Sequence, residues 1–343
     1  MTDVTVRRAR AGDADAVAAF ASDTWDRFDG GDYLPDVFPE WVASDGPDQR
    51  TFAAEVDGAV VGVCQCVALS GHEAWSQGIR VAPAHRGSGV AAALSTACFD
   101  WARDRGATVC RAMVFSWNRA GLGTARGVGF DPATEFRWAH PEPDAEAEAG
   151  VEGDGDADAL EVASDPDAAW SAWRRSDARA HLSGLGLDPD ESWALSEVTR
   201  DRFRRAADES TVLAVRSSEG TRAATYRSRV FERESGDESE CDDGTERDAG
   251  EDCDDGSGDD AAATDRWAEY GLAAWTDLPA ARALFAAVAR DAADCGADRA
   301  RVLIPETARH VSDVAYAGVD VSDDPDFVLE ADLTGRGPVT GAR

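Results

Sequence analysis

Arg86-Gly87-Ser88-Gly89 is the stretch of this chain whose residue types and spacing point most directly to chemistry. It follows a run of strand character that ends at Pro83 and leads straight into a helical pattern beginning at Val90. A helix start presents backbone N–H groups without intrahelical partners, and small residues let a phosphate come close to them. Gly87 and Gly89 tolerate the positive φ that a nest of amides needs, and Arg86 adds a forked cationic donor. The chemistry implied is the holding of a phosphorylated ligand. No Gly-Lys-Ser/Thr follows, so the loop is not a Walker A motif, and the G-x-G-x-x-G spacing of a dinucleotide fingerprint is absent. Gly121-Leu122-Gly123 fails in that second role because Arg126 stands where the third glycine belongs. Asp252-Cys253-Asp254-Asp255-Gly256 fails as a calcium loop, since the glycine falls one place early and no Glu occupies the twelfth position. The seven cysteines include no C-x-x-C pair and read as reduced, buried hydrophobes. No metal is expected.

The elements around the loop set its position. Residues 4–7 alternate like a strand, and 13–21 form an Ala-rich helix. Strands over 51–56 and 59–67 flank Asp57-Gly58, a hairpin turn signal. A further strand covers 73–81. The helix after the loop covers 90–105, with Val90, Leu94, Ala97, Cys98 and Trp101 on its apolar face and Gly106 at its end. Residues 108–115 are another strand, and Gly129-Phe130 opens the last one. The order β-α-α-β-β-β-α-β-α-β predicts an α/β (α+β) fold, a mixed, mostly antiparallel sheet flanked by helices.

Arg86-x-x-Gly89-x-Ala91, after a strand ending in Val81-Ala82-Pro83, resembles the R/Q-x-x-G-x-G/A signature of the GNAT superfamily of N-acetyltransferases. Asn118, followed eleven residues later by Gly129-Phe130, resembles the family's N-x-x-A…GF segment. The resemblance covers residues 4–140. It implies acetyl-CoA as co-substrate, with the amides of Arg86, Gly87, Ser88, Gly89, Val90 and Ala91 on the pyrophosphate. Backbone groups of Ile79 and Val81 would pair with the pantetheine arm like an added strand. Asn118 would hydrogen-bond the cofactor near its thiol, and Arg80, Arg119 and Arg126 would supply local positive charge. The family's usual acid, a tyrosine four residues before Gly-Phe, is replaced by Ala125. For the base, Glu73 is the first candidate and His72 the second, with Ser116 or Asn118 positioning water. Asp32-Tyr33-Leu34-Pro35-Asp36-Val37-Phe38-Pro39-Glu40-Trp41, with Gly78-Ile79-Arg80-Val81-Ala82-Pro83, resembles the branch that includes histidine N-acetyltransferase-like proteins. This implies an aromatic-lined acceptor loop, with Tyr33, Phe38 and Trp41 at the substrate and Asp32 and Asp36 suited to a cationic amine.

Charge bounds the partners. The chain has 67 acidic against 34 basic residues, a net charge of −33, and every basic residue is arginine. This argues against nucleic acid, which needs basic patches. Such acidity suits either a surface for a basic partner or a halophilic, salt-rich cytoplasm; its spread over both halves favours the halophilic reading. No run reaches the roughly 18 apolar residues of a membrane helix, and the N-terminus lacks the pattern of a signal peptide, so a cytoplasmic protein is expected.

A chain of 343 residues suggests two domains. The first is expected at 1–140, followed by an acidic linker at 141–167 and a second domain at 168–335. Within the second, residues 234–264 carry fourteen acidic residues and one arginine and read as a disordered insert. Helices are expected around Trp170 and Trp173 and over 191–206, 278–295 and 307–317, with strands over 212–215, 224–231, 267–275, 301–304 and 327–333. That order repeats the first domain's, but Trp275-Thr276-Asp277-Leu278-Pro279 stands where the glycine loop would be. The second half therefore reads as a degenerate GNAT-like repeat unable to bind coenzyme A. The function expected is acetyl transfer by direct attack of a primary amine, on a small molecule or amino acid. A protein or peptide acceptor, and a non-catalytic acyl-CoA sensor or interaction protein, are the alternatives. The sequence leaves the oligomeric state open.

Overall fold

Asp57 and Gly58 both adopt positive φ, 51° and 80°, as a two-residue type I′ turn requires. The computed structural model describes residues 3–22, 32–148, 160–234 and 264–335. They form two compact units. Unit 1 holds Met1–Thr134, Asp190–Ser196 and Asp326–Arg343, and unit 2 holds Glu135–Pro189 and Glu197–Pro325.

In unit 1 the elements are β1 (Thr5–Arg8), α1 (Ala14–Ala21), α2 (Leu34–Ser44), β2 (Gln49–Val56), β3 (Ala59–Ala68), β4 (Glu73–Val81), α3 (Val90–Arg103), β5 (Val109–Phe115) and α4 (Arg119–Gly127). Strands β1 to β4 pair antiparallel in sequence order, and β4 pairs parallel with β5. One face of the sheet packs Cys64, Cys66, Ala74 and Cys110 against Val90, Leu94 and Cys98 of α3. The other packs Ala53 and Val63 against Val17, Leu34 and Phe38 of α1 and α2. Cys64, Cys66, Cys98 and Cys110 are free, buried thiols.

The chain continues with β6 (Asp131–His140), β7 (Glu161–Ala163), α5 (Pro166–Arg175), α6 (Asp177–His181), β8 (Leu185–Leu187), β9 (Leu195–Glu197), α7 (Arg200–Glu209), β10 (Thr211–Ser217), β11 (Gly220–Glu234) and β12 (Thr264–Trp275). It closes with α8 (Leu278–Asp294), β13 (Arg299–Pro305), α9 (Ala308–Tyr316), β14 (Asp320–Val321) and β15 (Asp326–Asp332). In unit 2, β7, β10, β11 and β12 pair antiparallel in that order, β12 pairs parallel with β13, and β13 pairs antiparallel with β6. In unit 1, β15 lies antiparallel to β5, from Asp326↔Phe115 to Asp332↔Val109.

Several expectations are corrected. The units are not contiguous pieces meeting at a linker: β6 completes the sheet of unit 2, and β15 that of unit 1. The stretch 141–167 includes β7, in register with β10 at Ala163↔Ala214, and the start of α5. Residues 149–159 of that stretch, and 235–263 of the acidic insert, lie outside the described residues. Residues 191–206 are not one helix. Trp193 takes a φ of 62°, Leu195–Glu197 is extended, and the Thr199 side chain caps a helix that starts only at Arg200. The aromatic stretch after Asp32 is helix rather than loop, with Pro35 in its first turn and Pro39 inside it. Leu34, Phe38 and Trp41 then share one face. Among the described residues, no helix is long and apolar enough to cross a membrane.

One pattern recurs in both units. Glu73 stands ten residues before Pro83, and Glu269 ten before Pro279. Each glutamate is buried, and each meets an arginine of the adjoining parallel strand. Arg111 Nη1 donates to Glu73 Oε1 at 2.6 Å, and Arg301 Nε to Glu269 Oε2 at 2.7 Å.

Candidate acetyl-donor and acceptor site

After β4 ends at Val81, Pro83–His85 makes one 3-10 turn, and α3 begins at Val90. Gly87 and Gly89 have φ of 74° and 93°, a region that other residues enter only with strain. A Cβ built on either would meet nothing within 4 Å, so backbone shape selects glycine here and the space over the loop is open. Gly89 is the N-cap of α3, and no side chain caps the helix. Ala93 N bonds Gly89 O, leaving the amides of Val90, Ala91 and Ala92 ahead of it without intrahelical acceptors. Ser88 Oγ donates to His85 O at 2.5 Å, and Arg86 Nε to Val81 O at 3.2 Å, which ties the guanidinium to the end of β4.

Pairing of β4 with β5 runs from Glu73↔Val109 to Trp75↔Arg111 and, among the described residues, stops there. Beyond it Gln77 to Val81 present an open backbone edge toward β5. Ile79 and Val81 lie on this edge with side chains packed on the α3 core. Gly78 bulges β4, with a φ of 60° and a register shift against β3. A Cβ at Gly78 would sit 2.5 Å from Trp41 Cη2, so the glycine lets α2 close onto the strand.

Asn118 follows β5. Its Oδ1 accepts from Gly121 N at 2.8 Å and so caps α4. Ser116 is half-buried in the turn between β5 and Asn118. Glu73 is 3% exposed at the start of β4, where the strands are still paired. Ser70 Oγ donates to its Oε2 at 3.1 Å, besides the Arg111 pair. His72 is exposed, with Nδ1 3.2 Å from Ser70 Oγ. Ala125 is buried in the α3 core.

Of the arginines expected to add positive charge, Arg80 donates twice to Asp32, at 2.6 and 3.1 Å, and Arg126 donates to Phe130 O and Asp131. Arg119, at the start of α4, is exposed. Asp32, expected to meet a cationic amine, is thus neutralised by Arg80, while Asp36 is exposed on α2.

On the acceptor side, Tyr33 is 37% exposed with the Arg80 guanidinium 5.6 Å from its ring centre, and Trp41 lies against Gly78. Phe38 is corrected to a core residue: at 1% exposure it packs with Val17, Leu34, Ala53 and Val63. Sequence reasoning missed a polar row across the sheet. Gln65 Nε2 donates to Thr51 Oγ1 at 3.2 Å, and Gln77 Nε2 donates to Gln65 Oε1 at 2.7 Å and to Glu191 Oε1 at 2.8 Å. It also missed the Phe115–Trp117 stack, with ring centres 5.1 Å apart, beside Asn118. Alternation along β5 puts Phe115 on the face opposite Ala112 and Val114, which pack on the α3 core.

In unit 2 the corresponding strand-to-helix turn is closed. Asp277 caps α8, its Oδ1 accepting from Ala280 N at 3.0 Å, while Arg222 pairs with its Oδ2. Burial pushes the Asp277 carboxyl up, but the Ala280 amide, the Thr276 hydroxyl and Arg222 outweigh it and hold it below the usual carboxylate range. A cleft of about 250 Å³ lies beside this turn, lined by Arg175, Arg222, Arg309, Asp177 and Trp275. Arg222 and Arg309 are already paired there, with Asp277 and Asp177.

Residues 16–130 match the family model described as the acetyltransferase (GNAT) family. No curated protein matches the chain in sequence. Among solved structures, a GCN5-related N-acetyltransferase from Sphaerobacter thermophilus is 13% identical, with 96% of each chain covered and a TM-score of 0.54. A putative acetyltransferase from Salmonella typhimurium, solved with acetyl-CoA, is 22% identical over 39% of this chain and 83% of its own, with a TM-score of 0.34. The ribosomal-protein-S18-alanine N-acetyltransferase from Escherichia coli is 19% identical over 42% of this chain and 86% of its own, with a TM-score of 0.33. The first of these likenesses shows the α/β GNAT fold, a mixed sheet flanked by helices. Residues 16–130 are thus similar to the acetyltransferase (GNAT) family, and the chain shares its α/β fold.

Proposed function

We propose that this protein transfers an acetyl group from acetyl-CoA to a primary amine of a small molecule or amino acid, by direct attack on the thioester. The observation that carries the reading is the open N-terminus of α3: uncapped amides behind Gly87 and Gly89, with empty space over both glycines. These donors suit a pyrophosphate by geometry and by the helix dipole. Arg86, Gly87, Ser88, Gly89, Val90 and Ala91 would hold it. The open edge at Ile79 and Val81 would receive the pantetheine arm as an added strand, which brings the thioester toward the bulge at Gly78. Asn118 would meet the arm from the β5 side through its amide nitrogen, since its oxygen caps α4.

Unit 2 is read as a degenerate repeat of the same fold. The shared Glu-to-Pro spacing and the shared buried Glu–Arg pair support this, and the Asp277 carboxylate occupies the amides that a phosphate would need. Glu73 is then structural, because Glu269 keeps the same pair in a unit without the loop.

The test is thiol release from acetyl-CoA in molar KCl over 2-phenylethylamine, tyramine, L-histidine and spermidine. Amine-dependent release with at least one of them is the expected outcome. Acetyl-CoA that binds but is released no faster with any amine overturns the reading in favour of an acyl-CoA sensor.

A further inference from the structure

We infer that unit 2 carries a binding site of its own, for a small organic anion with a carboxylate or phosphate on an apolar frame. The site is the cleft of about 250 Å³ beside the Thr276–Asp277 turn. Strands β12 and β13 pair in parallel from Trp267↔Arg299 to Tyr270↔Val302 and, among the described residues, no further. Past that point β12 stays paired with β11 as far as Trp275, and β13 with β6 as far as Pro305, so the two parallel strands part. The cleft lies at the end of β12, walled by residues of α5, α6, β11 and α9.

The charged groups that line it are three guanidinium groups, Arg175, Arg222 and Arg309, and one carboxylate, Asp177. Two of the three arginines are fixed around Thr276. Arg222 Nε donates to Thr276 Oγ1 at 3.0 Å, and Arg309 Nη2 to Thr276 O at 2.7 Å. Asp277 balances Arg222, and Asp177 balances Arg309. Asp313 stands 3.7 Å from Arg309 Nε but accepts from Trp275 Nε1 at 2.8 Å, and Glu219 beside Arg222 is exposed. Two guanidinium groups tied to one residue repel each other, and an oxyanion between them relieves that repulsion. Arg175 differs from both. It is exposed at the end of α5 and, among the described residues, makes no hydrogen bond or ion pair. Its forked donors are available to close on a carboxylate or phosphate with two parallel bonds.

The rest of the lining sets size and frame. Ala172, Ala274 and Trp275 form an apolar wall. Trp275 is held by Asp313 at its indole nitrogen and by the His310 ring, with ring centres 4.8 Å apart. His310 is 2% exposed, and its Nε2 makes no hydrogen bond, although it lies 3.7 Å from Asp177 Oδ1 on the cleft wall. A buried polar atom of this kind marks a position that a bound group or its water can fill. The volume falls below the roughly 300–1,000 Å³ usual for drug-sized ligands, so a one-ring or short-chain anion suits the cleft and coenzyme A does not. In a chain with 67 acidic and 34 basic residues, three arginines around one cleft are not what composition alone would place there.

Calorimetry of phenyl phosphate and of benzoate into the full chain, in dilute KCl, tests the site. Saturable binding of at least one probe is expected, and saturating acetyl-CoA does not displace it. The tighter of the two identifies the preferred headgroup. Arg175→Gln, an exposed change that the fold tolerates, is expected to weaken binding about tenfold or more. Arg174→Gln, one residue earlier and outside the cleft, leaves it within about twofold. No saturable binding of either probe, or equal affinity in Arg175→Gln and wild type, overturns the inference. Displacement by acetyl-CoA with Arg175→Gln unaffected places the anion at the α3 loop instead, which overturns this site and leaves the acetyl-transfer reading standing.

Discussion

Glu73 and Arg111 show how charge is managed inside this chain. The carboxylate is 3% exposed and persists because Arg111 and Ser70 replace the water it lost. Removing one partner of a buried pair leaves the other uncompensated, at a cost of about 3–5 kcal/mol. Glu73→Gln is therefore expected to lower the thermal midpoint while leaving acetyl-CoA affinity and the acid limb of the rate profile in place; melting curves beside a pH–rate profile check this. Glu269 sits between Arg301 and Arg229 in the same way. Burial pushes its carboxyl up, and the two guanidinium groups pull it below the usual range.

Two histidines set a pH dependence. Burial lowers His140 to about 4, with Arg301 adding to the effect, and burial lowers His310 to about 4 against the opposing pull of Asp177. Unfolded, each imidazole takes a proton near pH 6.5, well before the buried one does. As pH falls from 6.5 toward 4 the unfolded chain gains protons first, so stability drops by up to about 3 kcal/mol per histidine. Above pH 6.5 neither contributes. Denaturant midpoints at pH 7, 6, 5 and 4.5 are expected to fall in that order, and less steeply in His140→Gln; equal slopes in the two proteins contradict the assignment.

At the scale of elements, the two strand-to-helix turns explain each other. Both run from a strand into a long helix, but α3 starts from a left-handed glycine with no side-chain cap, whereas α8 starts from Asp277, which supplies its own anion. Much of this was legible in residue order. Period-two runs around Asp57-Gly58, the Pro83 stop and the apolar stripe from Val90 to Trp101 depend on local patterning, and the elements formed within a residue or two of the expected ends. The glycine loop was legible for the same reason, because positive φ and small size are local demands. Helix α2 was obscured by Pro35 and Pro39, the first of which suits a helix start. The helix expected over 191–206 failed because Trp193 takes a positive φ and Leu195–Glu197 is extended, while the Thr199 cap fixes a later start. Glu191 was beyond reach. Its partner is 114 residues away, and the polar row exists only once β2, β3 and β4 are in register.

Over the whole molecule, an excess of 67 acidic over 34 basic residues repels a polyanionic cofactor. Molar salt shortens the reach of that repulsion to about 3 Å and leaves the contact hydrogen bonds of a loop such as 86–91. Strand β6 belongs mostly to unit 2 and β15 to unit 1, so neither unit is one contiguous piece of the chain. The central claim is that the chain has one acetyl-CoA site, at the start of α3. Titration calorimetry of acetyl-CoA into the full chain in molar KCl, for wild type and Gly89→Glu, tests it most directly. One site per chain, weakened about 100-fold or more when a glutamate carboxylate competes for the α3 amides, is the predicted result. Two sites per chain, or unchanged affinity in Gly89→Glu, would contradict it.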